Sequence, residues 1–368
     1  MGTLLESIRV GDGNIIRPPL VKTNPVRVDV DASPIYELLL QIFVFAGLEN
    51  LDTFDVGREW AENQRRRCSP RLLAALERLG GAFTNVDQLM GLQAVQPSPS
   101  VPAFLHRLEQ LTPHEIALHV TGFYSDIYPE DVAATILAAV AGSRTARRPA
   151  ARALATSMPE REATLAKLLA TPPGDLKDLT LELMSGWYER VFVTDEPAVR
   201  NVLAADARAK RNLLGTDPER LVLIATGIKY SRRGRFTKFL LVPTLVMRPW
   251  VGVVHYKRMC IYAYPVTEDP TSIETARRGL ARTYQALGDE VRLRIVKVLA
   301  DDALTLVELC RRIEQPEPVV RAHIAVLRAS RIVQINCDEL ITYQLRGDIM
   351  RVIGQPLQSY LRLSPTAT

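Results

Sequence analysis

Histidine and cysteine are the side chains of this sequence best suited to metal coordination or to nucleophilic and acid–base catalysis. The chain has five His and four Cys. His114 and His119 are five residues apart, which is not the i, i+4 spacing that brings two ligands to one face of a helix. The sequence contains no phosphate-binding loop, nucleophile elbow or H-E-x-x-H motif. We therefore expect no catalytic site, no metal and no other cofactor, and predict that the protein is not an enzyme.

The cysteines are spread along the chain and include no C-x-x-C pair; they are Cys68, Cys260, Cys310 and Cys337. Such sparse cysteines favour a reducing compartment, in which each packs as a small hydrophobic residue. The apolar stretch "YELLLQIFVFAGL" (36–48) is too short to cross a bilayer. No charged and apolar leader opens the sequence. These features predict a cytoplasmic location without membrane association.

Composition predicts a globular chain of two or three domains, since it has 368 residues, of which 47% are hydrophobic. Its net charge is +5 and its pI is about 9.0, which is compatible with a nucleic-acid partner but does not demonstrate one. Residues 271–368 alone carry a net charge of +3, and nearly all their positive groups are Arg. Arginine makes forked contacts to phosphate and guanine.

The hydrophobic pattern predicts an α+β fold. Residues 34–212 have mainly helical periodicity, and Ser33-Pro34 is a good helix start. Short β-branched and aromatic runs, of which "LVLIAT" (221–226) is the first, then predict an antiparallel β-meander at about 220–266. "TEDPTS" (267–272) marks a boundary, so that we expect an N-terminal α+β domain (1–268) followed by a second domain (271–368).

The second domain has the layout of a winged helix-turn-helix. Its pattern predicts two short strands, "RIVQINC" and "LITYQLR", and helices at about 273–286, 289–300, 305–313, 317–329 and 347–362. In this arrangement a short turn sets two helices at an angle, so that the second enters the major groove while the β-ribbon holds the backbone.

The phrase "ALGDEVRLRIVKVL" (286–299) and the residues that follow it resemble the winged-helix domain of the ArsR-type repressors. The matching residues are Ala286, Leu287, Gly288, Asp289, Arg292, Leu293, Ile295, Leu299, Leu306, Glu308, Leu309, His323, Ile324, Leu327, Ile332 and Val333. The overall layout is also similar to ArsR-type regulators with a long uncharacterised N-terminal region. The resemblance implies a transcriptional regulator, typically a repressor, that binds double-stranded operator DNA as a homodimer.

The resemblance places the recognition helix at 317–329. It implies DNA contacts by Glu317, Val319, Val320, Arg321, His323, Arg328 and Tyr343. Arg321 lies one position before the usual arginine of the family, which rotates its side chain by about 100°. It either reaches a guanine edge or a phosphate, or lies solvated on the helix face. His323 either packs between helices or reads a base.

Two departures from the family weaken parts of this expectation. Cys310 fits the first position of the C-x-C metal site of metal-sensing members, but Arg312 occupies the second, and Asp348 on the closing helix has no His beside it. We therefore predict that the protein is not a metal sensor. The ribbon tip "NCDEL" is acidic, which lowers affinity for phosphate. An alternative function is thus an assembly or protein-interaction module built on a winged helix that has lost DNA binding.

The first and last helices of the domain predict a homodimer interface, as in the family. Each has an apolar stripe; the stripes are Ile273, Ala276, Leu280 and Tyr284, and Met350, Ile353, Leu357 and Tyr360. Alternatively, both stripes pack on the N-terminal domain.

Two features of the first domain could bind a partner. "KYSRRGRFTK" (229–238) is either a second phosphate-contacting loop or a solvated hairpin tip. A set of aromatic residues either forms a core or lines a small-molecule pocket; they are Trp187, Tyr188, Trp250, Tyr256, Tyr262 and Tyr264. We expect this domain to sense an unknown small-molecule effector or to mediate assembly.

Overall fold

The chain forms two units, each of which is built from segments that are not contiguous in the sequence. The computed structural model describes residues 26–47, 51, 53–215, 217–230, 235–266, 273–337 and 340–361, without the side chains of 273–278 and 359. Within these residues the first unit comprises 26–214 and 235–266, and the second comprises 215–230 and 273–361. The predicted boundary near residue 268 is thus one of three places at which the chain passes from one unit to the other.

Helices make up most of the first unit. They are α1 (Pro34–Ala46), α2 (Gly57–Arg67), α3 (Pro70–Arg78), α4 (Met90–Val95), α5 (Val101–Gln110), α6 (Pro113–Val120), α7 (Glu130–Val140), α8 (Arg147–Leu154), α9 (Glu162–Ala170), α10 (Pro173–Trp187) and α11 (Glu196–Leu214). Several begin at a Ser-Pro or Thr-Pro pair. Ser33, Ser69 and Thr112 each accept a hydrogen bond from a free amide of the first turn. The predicted helical region is therefore present.

The strands form two sheets. They are β1 (Arg27–Val30), β2 (Ile228–Tyr230), β3 (Lys238–Thr244), β4 (Gly252–Tyr256), β5 (Met259–Pro265), β6 (Val333–Cys337) and β7 (Ile341–Leu345). The sheet of the first unit has the order β1-β3-β5-β4. β1 and β5 both run parallel to β3, whereas β4 is antiparallel to β5. The antiparallel meander predicted for 220–266 is therefore wrong, because local alternation does not determine which strands become neighbours.

A buried carboxylate joins α1 to the end of β3. Glu37 is 1% exposed. It accepts hydrogen bonds from Thr244 Oγ1 (2.6 Å) and from the backbone amides of Leu245 (3.0 Å) and Val246 (2.9 Å). Burial raises the pKa of the Glu37 carboxyl above its usual range, although these three donors oppose the rise. The donors compensate for the loss of water around the carboxylate and hold the turn after β3 against the helix.

Most of the aromatic residues noted in the sequence belong to the core of this unit. Trp187 and Tyr264 are fully buried, and Trp250, Tyr256 and Tyr262 are also buried; Tyr188 is partly exposed and donates to Glu196. Trp187 packs against Phe45, with ring centroids 4.9 Å apart. Burial of this kind favours the core interpretation of the aromatic set over a pocket lining.

The second unit contains the predicted C-terminal helices and one more. Its helices are α12 (Pro218–Thr226), α13 (Ile273–Leu287), α14 (Glu290–Asp301), α15 (Leu306–Ile313), α16 (Glu317–Ala329), α17 (Gly347–Val352) and α18 (Gln355–Tyr360). The predicted closing helix is divided into α17 and α18. Pro356 lies in the first turn of α18, where its missing N–H is tolerated, but it could not continue a helix from α17.

Helix α12 replaces a predicted strand. "LVLIAT" (221–226) is a short apolar run, and such a run does not distinguish a strand from a buried helix. The flanking residues decide the outcome. The Asp217 side chain accepts from the Arg220 amide at 2.9 Å, Pro218 occupies the first turn, and Gly227 ends the helix in the left-handed conformation. These residues are helix start and stop signals.

The second sheet has the order β2-β6-β7. β6 and β7 form the predicted antiparallel ribbon, and Leu304 adds an isolated bridge to Tyr343. β2 pairs in parallel with β6, with Ile228 opposite Ile335 and Tyr230 opposite Cys337. The segment "KYSRRGRFTK" consequently joins strands of two different sheets, and its residues 231–234 lie outside the described part of the chain. Among the described residues, no helix is long and apolar enough to span a bilayer.

Candidate nucleic-acid interface

The opening phrase of the second unit begins a helix with a carboxylate cap. Asp289 precedes α14 and accepts from the Arg292 amide at 2.9 Å. This hydrogen bond lowers the pKa of the Asp289 carboxyl, and the neighbouring charges of Arg292 and His323 lower it further. A cap of this kind satisfies an amide that the helix itself leaves free. Asp289 is therefore a structural residue.

The two arginines of the same phrase bind helix ends. Arg292 donates from Nε to the Ala286 carbonyl (2.6 Å) and from its guanidinium to the Gln285 carbonyl (2.7 Å) at the end of α13. Arg294 donates to the Ile313 carbonyl (2.9 Å) at the end of α15. Cations at the carboxyl ends of helices complement the unpaired carbonyls and the helix dipole. Both guanidinium groups thus tie α14 to its neighbours in this conformation.

Helices α15 and α16 form the helix-turn-helix. Thr305 and Glu308 make a reciprocal capping box at the start of α15. Glu314 ends α15 in the left-handed conformation, with φ of 57°, and Pro316 caps α16. This short connection sets the two helices at an angle, as the motif requires. The capping box was readable in the sequence as T-x-x-E before an apolar run.

Helix α16 buries one stripe and leaves its first turn open. Val320, Ile324 and Leu327 are buried at helical spacing. Val320 therefore belongs to the core and is not available to a duplex, contrary to its place among the expected contacts. Val319 is 38% exposed. It lies in the first turn together with Glu317 and Pro318, which are also exposed.

Arg321 lies beside Glu317 on one flank of α16. The two side chains form an i, i+4 ion pair, in which Arg321 is largely covered and Glu317 is more exposed. Arg328 lies two turns further along, which places it on the same flank. The carboxylate of Glu317 thereby restricts the guanidinium of Arg321 to a fixed part of the helix surface. Glu317 and Arg321 are thus in contact, and Arg328 shares their flank of the helix.

His323 and Tyr343 lie away from this flank. The Nδ1 atom of His323 is 3.7 Å from Oδ1 of Asp289, so this side chain connects α16 to the start of α14. Tyr343 is 5% exposed, and its backbone pairs with Leu304. Both residues therefore hold the unit together in this conformation. For His323 this agrees with the first of the two interpretations, in which it packs between helices.

Cys310 lies near the same ion pair and has little thiolate character. Burial raises the pKa of the Cys310 thiol, and the Glu317 carboxylate raises it further. In the part of the chain that the structure describes, no group of three His, Cys, Asp or Glu side chains is placed to hold a metal ion.

The wing has little positive charge of its own. Residues 333–345, which include β6 and β7, contain no Lys or Arg. Asp338 and Glu339, the acidic residues of the predicted wing tip, lie outside the described residues. Arg346 follows β7, but it is 7% exposed and pairs with Asp348. A cationic contact to phosphate from this sheet would therefore have to come from a residue outside the hairpin.

Comparison with known families identifies the helical part of this unit. Residues 287–335 match the family model of a helix-turn-helix domain. The match covers α14, α15, α16 and the start of the wing, and it supports a DNA-binding regulator with a winged helix-turn-helix. Searches of the curated proteins and of the solved structures gave no significant match.

The strand that carries Lys229 was not predicted from the sequence, which placed this residue in the loop or hairpin tip at 229–238. Lys229 is exposed on β2, the strand paired with β6. The strand was missed because parallel pairing between distant segments leaves no local pattern.

Replacement of Asp289 by Ala tests the cap. We expect Asp289→Ala to lower the free energy of unfolding of the second unit by about 1 kcal/mol at pH 7 and to speed hydrogen–deuterium exchange in α14. Because the folded carboxyl has a lowered pKa, the difference from wild type should be complete above about pH 5 and shrink as the pH falls through about 4 and below. Glu290→Ala, which keeps the cap, should change exchange much less. Equal effects of the two variants would contradict the assignment.

Proposed function

We propose that the chain is a transcriptional regulator of the ArsR type, which represses by binding operator DNA in the cytoplasm and has no catalytic activity of its own. The observation that carries the proposal is the helix-turn-helix match together with the open first turn of α16. An α-helix fits the major groove, and the amino-terminal residues of a recognition helix contact base edges.

The flank of α16 supplies the chemistry of recognition in this proposal. Arg321 donates to the O6 and N7 atoms of a guanine, and Val319 offers an apolar contact to a thymine methyl group. Glu317 accepts from Arg321 and so orients the guanidinium before binding. Arg328, on the same flank, contacts a phosphate. His323 and Tyr343 position these elements from inside the unit.

Substitution of Arg321 tests the proposal. Duplex DNA from upstream of the gene should bind the wild type with a steep fall in affinity as salt rises, and with protection of a two-fold-symmetric site. Arg321→Ala should weaken specific binding by about 1–3 kcal/mol and relax the preference at one base pair. Lys297→Gln, which removes an exposed charge from scaffold helix α14, should have little effect on either quantity.

The same measurement distinguishes the alternative function. An assembly module without DNA binding would bind upstream DNA no better than random duplex, and Arg321→Ala would then change nothing. Derepression of a reporter fused to the bound promoter, on deletion of the gene, would support repression as the direction of control.

We further propose that the regulator is a homodimer through α13 and the closing helices. α13 lies against α18. Tyr284 on α13 is 40% exposed and Tyr360 on α18 is 44% exposed, with Val352 and Leu361 also exposed nearby in the sequence. A two-fold axis through this surface would cover the same apolar side chains on both copies. The alternative is that both stripes pack on the first unit.

Sedimentation of charge variants tests the dimer. Tyr284→Asp and Tyr360→Asp should each shift the wild-type dimer toward monomer at micromolar concentration, because a buried carboxylate at the interface costs several kcal/mol. Val307→Asp replaces an equally apolar residue that is 63% exposed at the start of α15. It should leave the dimer intact. Wild-type sedimentation as a monomer at all concentrations would contradict the proposal.

For the first unit we propose recognition of a small polar effector, with mediation of assembly as the alternative. In the described part of the chain, a few buried polar atoms have no hydrogen-bond partner, and among them are Thr84 Oγ1, Gln88 Oε1, His119 Nδ1 and Arg161 Nε. All four adjoin the turn at 83–88. Arg161 donates to the Phe83 carbonyl at 2.9 Å, and His119 bonds to the backbone of Gln88. We infer that a bound polar partner satisfies these groups.

The chemistry of these atoms defines the effector that would satisfy them. Arg161 Nε donates and Gln88 Oε1 accepts. Burial lowers the pKa of His119 to about 4, so its ring is neutral at pH 7 and its unpaired nitrogen accepts. A small molecule with both donor and acceptor groups would be complementary, and its binding to only one conformation would shift the DNA-binding equilibrium.

Thermal unfolding of the first unit tests the effector proposal. Trp60, Trp187 and Trp250 all lie in this unit, so that tryptophan fluorescence reports its unfolding alone. A polar metabolite that releases DNA should raise the unfolding temperature, and Gln88→Leu and Thr84→Val should each abolish both effects. Release of DNA with no shift in the wild-type temperature would favour the assembly role instead.

A further inference from the structure

The sheet of the second unit has an added strand that a hairpin wing does not need. β2 follows α12 through Gly227, which adopts a left-handed φ of 68°. The Gly227 carbonyl accepts from the Ile335 amide at 2.9 Å, and the Ile228 amide donates to Thr226 Oγ1 at 3.0 Å. These bonds lock a tight helix-to-strand turn, so that the position of β2 beside β6 is defined at its first residue.

The register of the three strands separates an apolar face from a polar face. On one face lie Ile228, Tyr230, Ile335 and Tyr343, all of which are buried. The other face carries the side chains that alternate with them; these are Lys229, Gln334, Asn336, Thr342 and Gln344. Side chains alternate along a strand. Since Ile228 and Tyr230 lie on the buried face, Lys229 between them points to the polar face.

The amides of the polar face bond to one another. Gln334 Nε2 donates to Asn336 Oδ1 (3.0 Å) and to Gln344 Oε1 (3.2 Å), and Asn336 Nδ2 donates to Gln344 Oε1 (3.2 Å). Lys229 lies opposite Asn336 in the register and is exposed. Within the described residues, its ammonium group belongs to no ion pair. It is the cation that this polar face presents to solvent.

We propose that Lys229 supplies the phosphate contact of the wing, in place of a basic residue in the hairpin. The inference rests on the proposed function, since it assigns a further DNA contact to the same unit. A sheet that approaches a duplex needs a cation to replace the counterions of the phosphates. Residues 333–345 contain no Lys or Arg. A strand contributed by residues 228–230 provides it.

Salt titration of full-length Lys229→Gln tests this inference. The slope of log affinity against log salt for the bound duplex should decrease in magnitude by about 0.9, the value for one phosphate contact. Affinity near 0.1 M salt should fall roughly eightfold, if the contact contributes nothing at 1 M salt. The loss should be equal on specific and random duplexes, because phosphate contacts carry no sequence information. Lys229→Arg should retain both the slope and the affinity.

The matched control is Lys297→Gln, which removes the same charge from an exposed position on α14 and should leave the slope unchanged. Equal slopes for wild type and Lys229→Gln, with binding still dependent on Arg321, would overturn the Lys229 inference and leave the proposed function standing. Equal loss in Lys229→Gln and Lys297→Gln would also overturn it, since net charge alone would then explain the effect. Absence of any duplex binding by the wild type would overturn both.

Discussion

The backbone hydrogen bonds between β2 and β6 are the constraint on which the second unit depends. They join Ile228 to Ile335 across a long stretch of sequence, and they satisfy amides and carbonyls that would otherwise lie at an open sheet edge. Strand β2 therefore belongs to the second unit, although the first unit resumes after it in the sequence, at residues 235–266. Because the chain passes between the two units three times, the helix-turn-helix is not an appendage on a single linker.

Under the Lys229 proposal, this pairing would let a wing without basic residues belong to a DNA-binding protein. Charge that is missing from the hairpin is present on the strand beside it, at Lys229. The acidic tip remains a cost for phosphate binding. In the proposed interface each copy makes few cationic contacts to DNA, so that one copy alone would bind with modest affinity. The proposed dimer would therefore matter for DNA binding as well as for assembly. Two linked half-sites raise the effective affinity of each.

The charged residues of the second unit fall into two groups: those that bond to helix ends and those on one flank of α16. Asp289, Arg292 and Arg294 bind free amides and carbonyls at helix ends, so that the most recognisable phrase of the sequence is scaffold. Arg321 and Arg328 lie on one flank of α16, where both are partly covered. The scaffold sets the angle of α16, and a shift of about 1 Å at its first turn would be enough to misplace a forked contact to guanine.

The sequence by itself determined the elements whose signals are local. The helices of the second unit follow from apolar spacing and from caps such as Asp289 and the Thr305–Glu308 box, and the winged helix-turn-helix follows from their order. "LVLIAT" was predicted as a strand although Asp217, Pro218 and Gly227 carried the helix signals, because a short apolar run fits both structures. The burial of Val320 could also have been predicted from the sequence, since Val320 shares a helical stripe with Ile324 and Leu327.

Only the tertiary structure decided which strands became neighbours. The parallel pairs β1–β3, β3–β5 and β2–β6 join distant segments, and nothing in a strand's own residues names its partner, because backbone hydrogen bonds are the same for every sequence. For that reason the sequence placed Lys229 in a phosphate-contacting loop or hairpin tip of the first domain, and its place on a strand beside the wing became visible only through the register with Asn336. The position of His323 against Asp289 was settled in the same way, by a distance between two helices that residue spacing alone does not set.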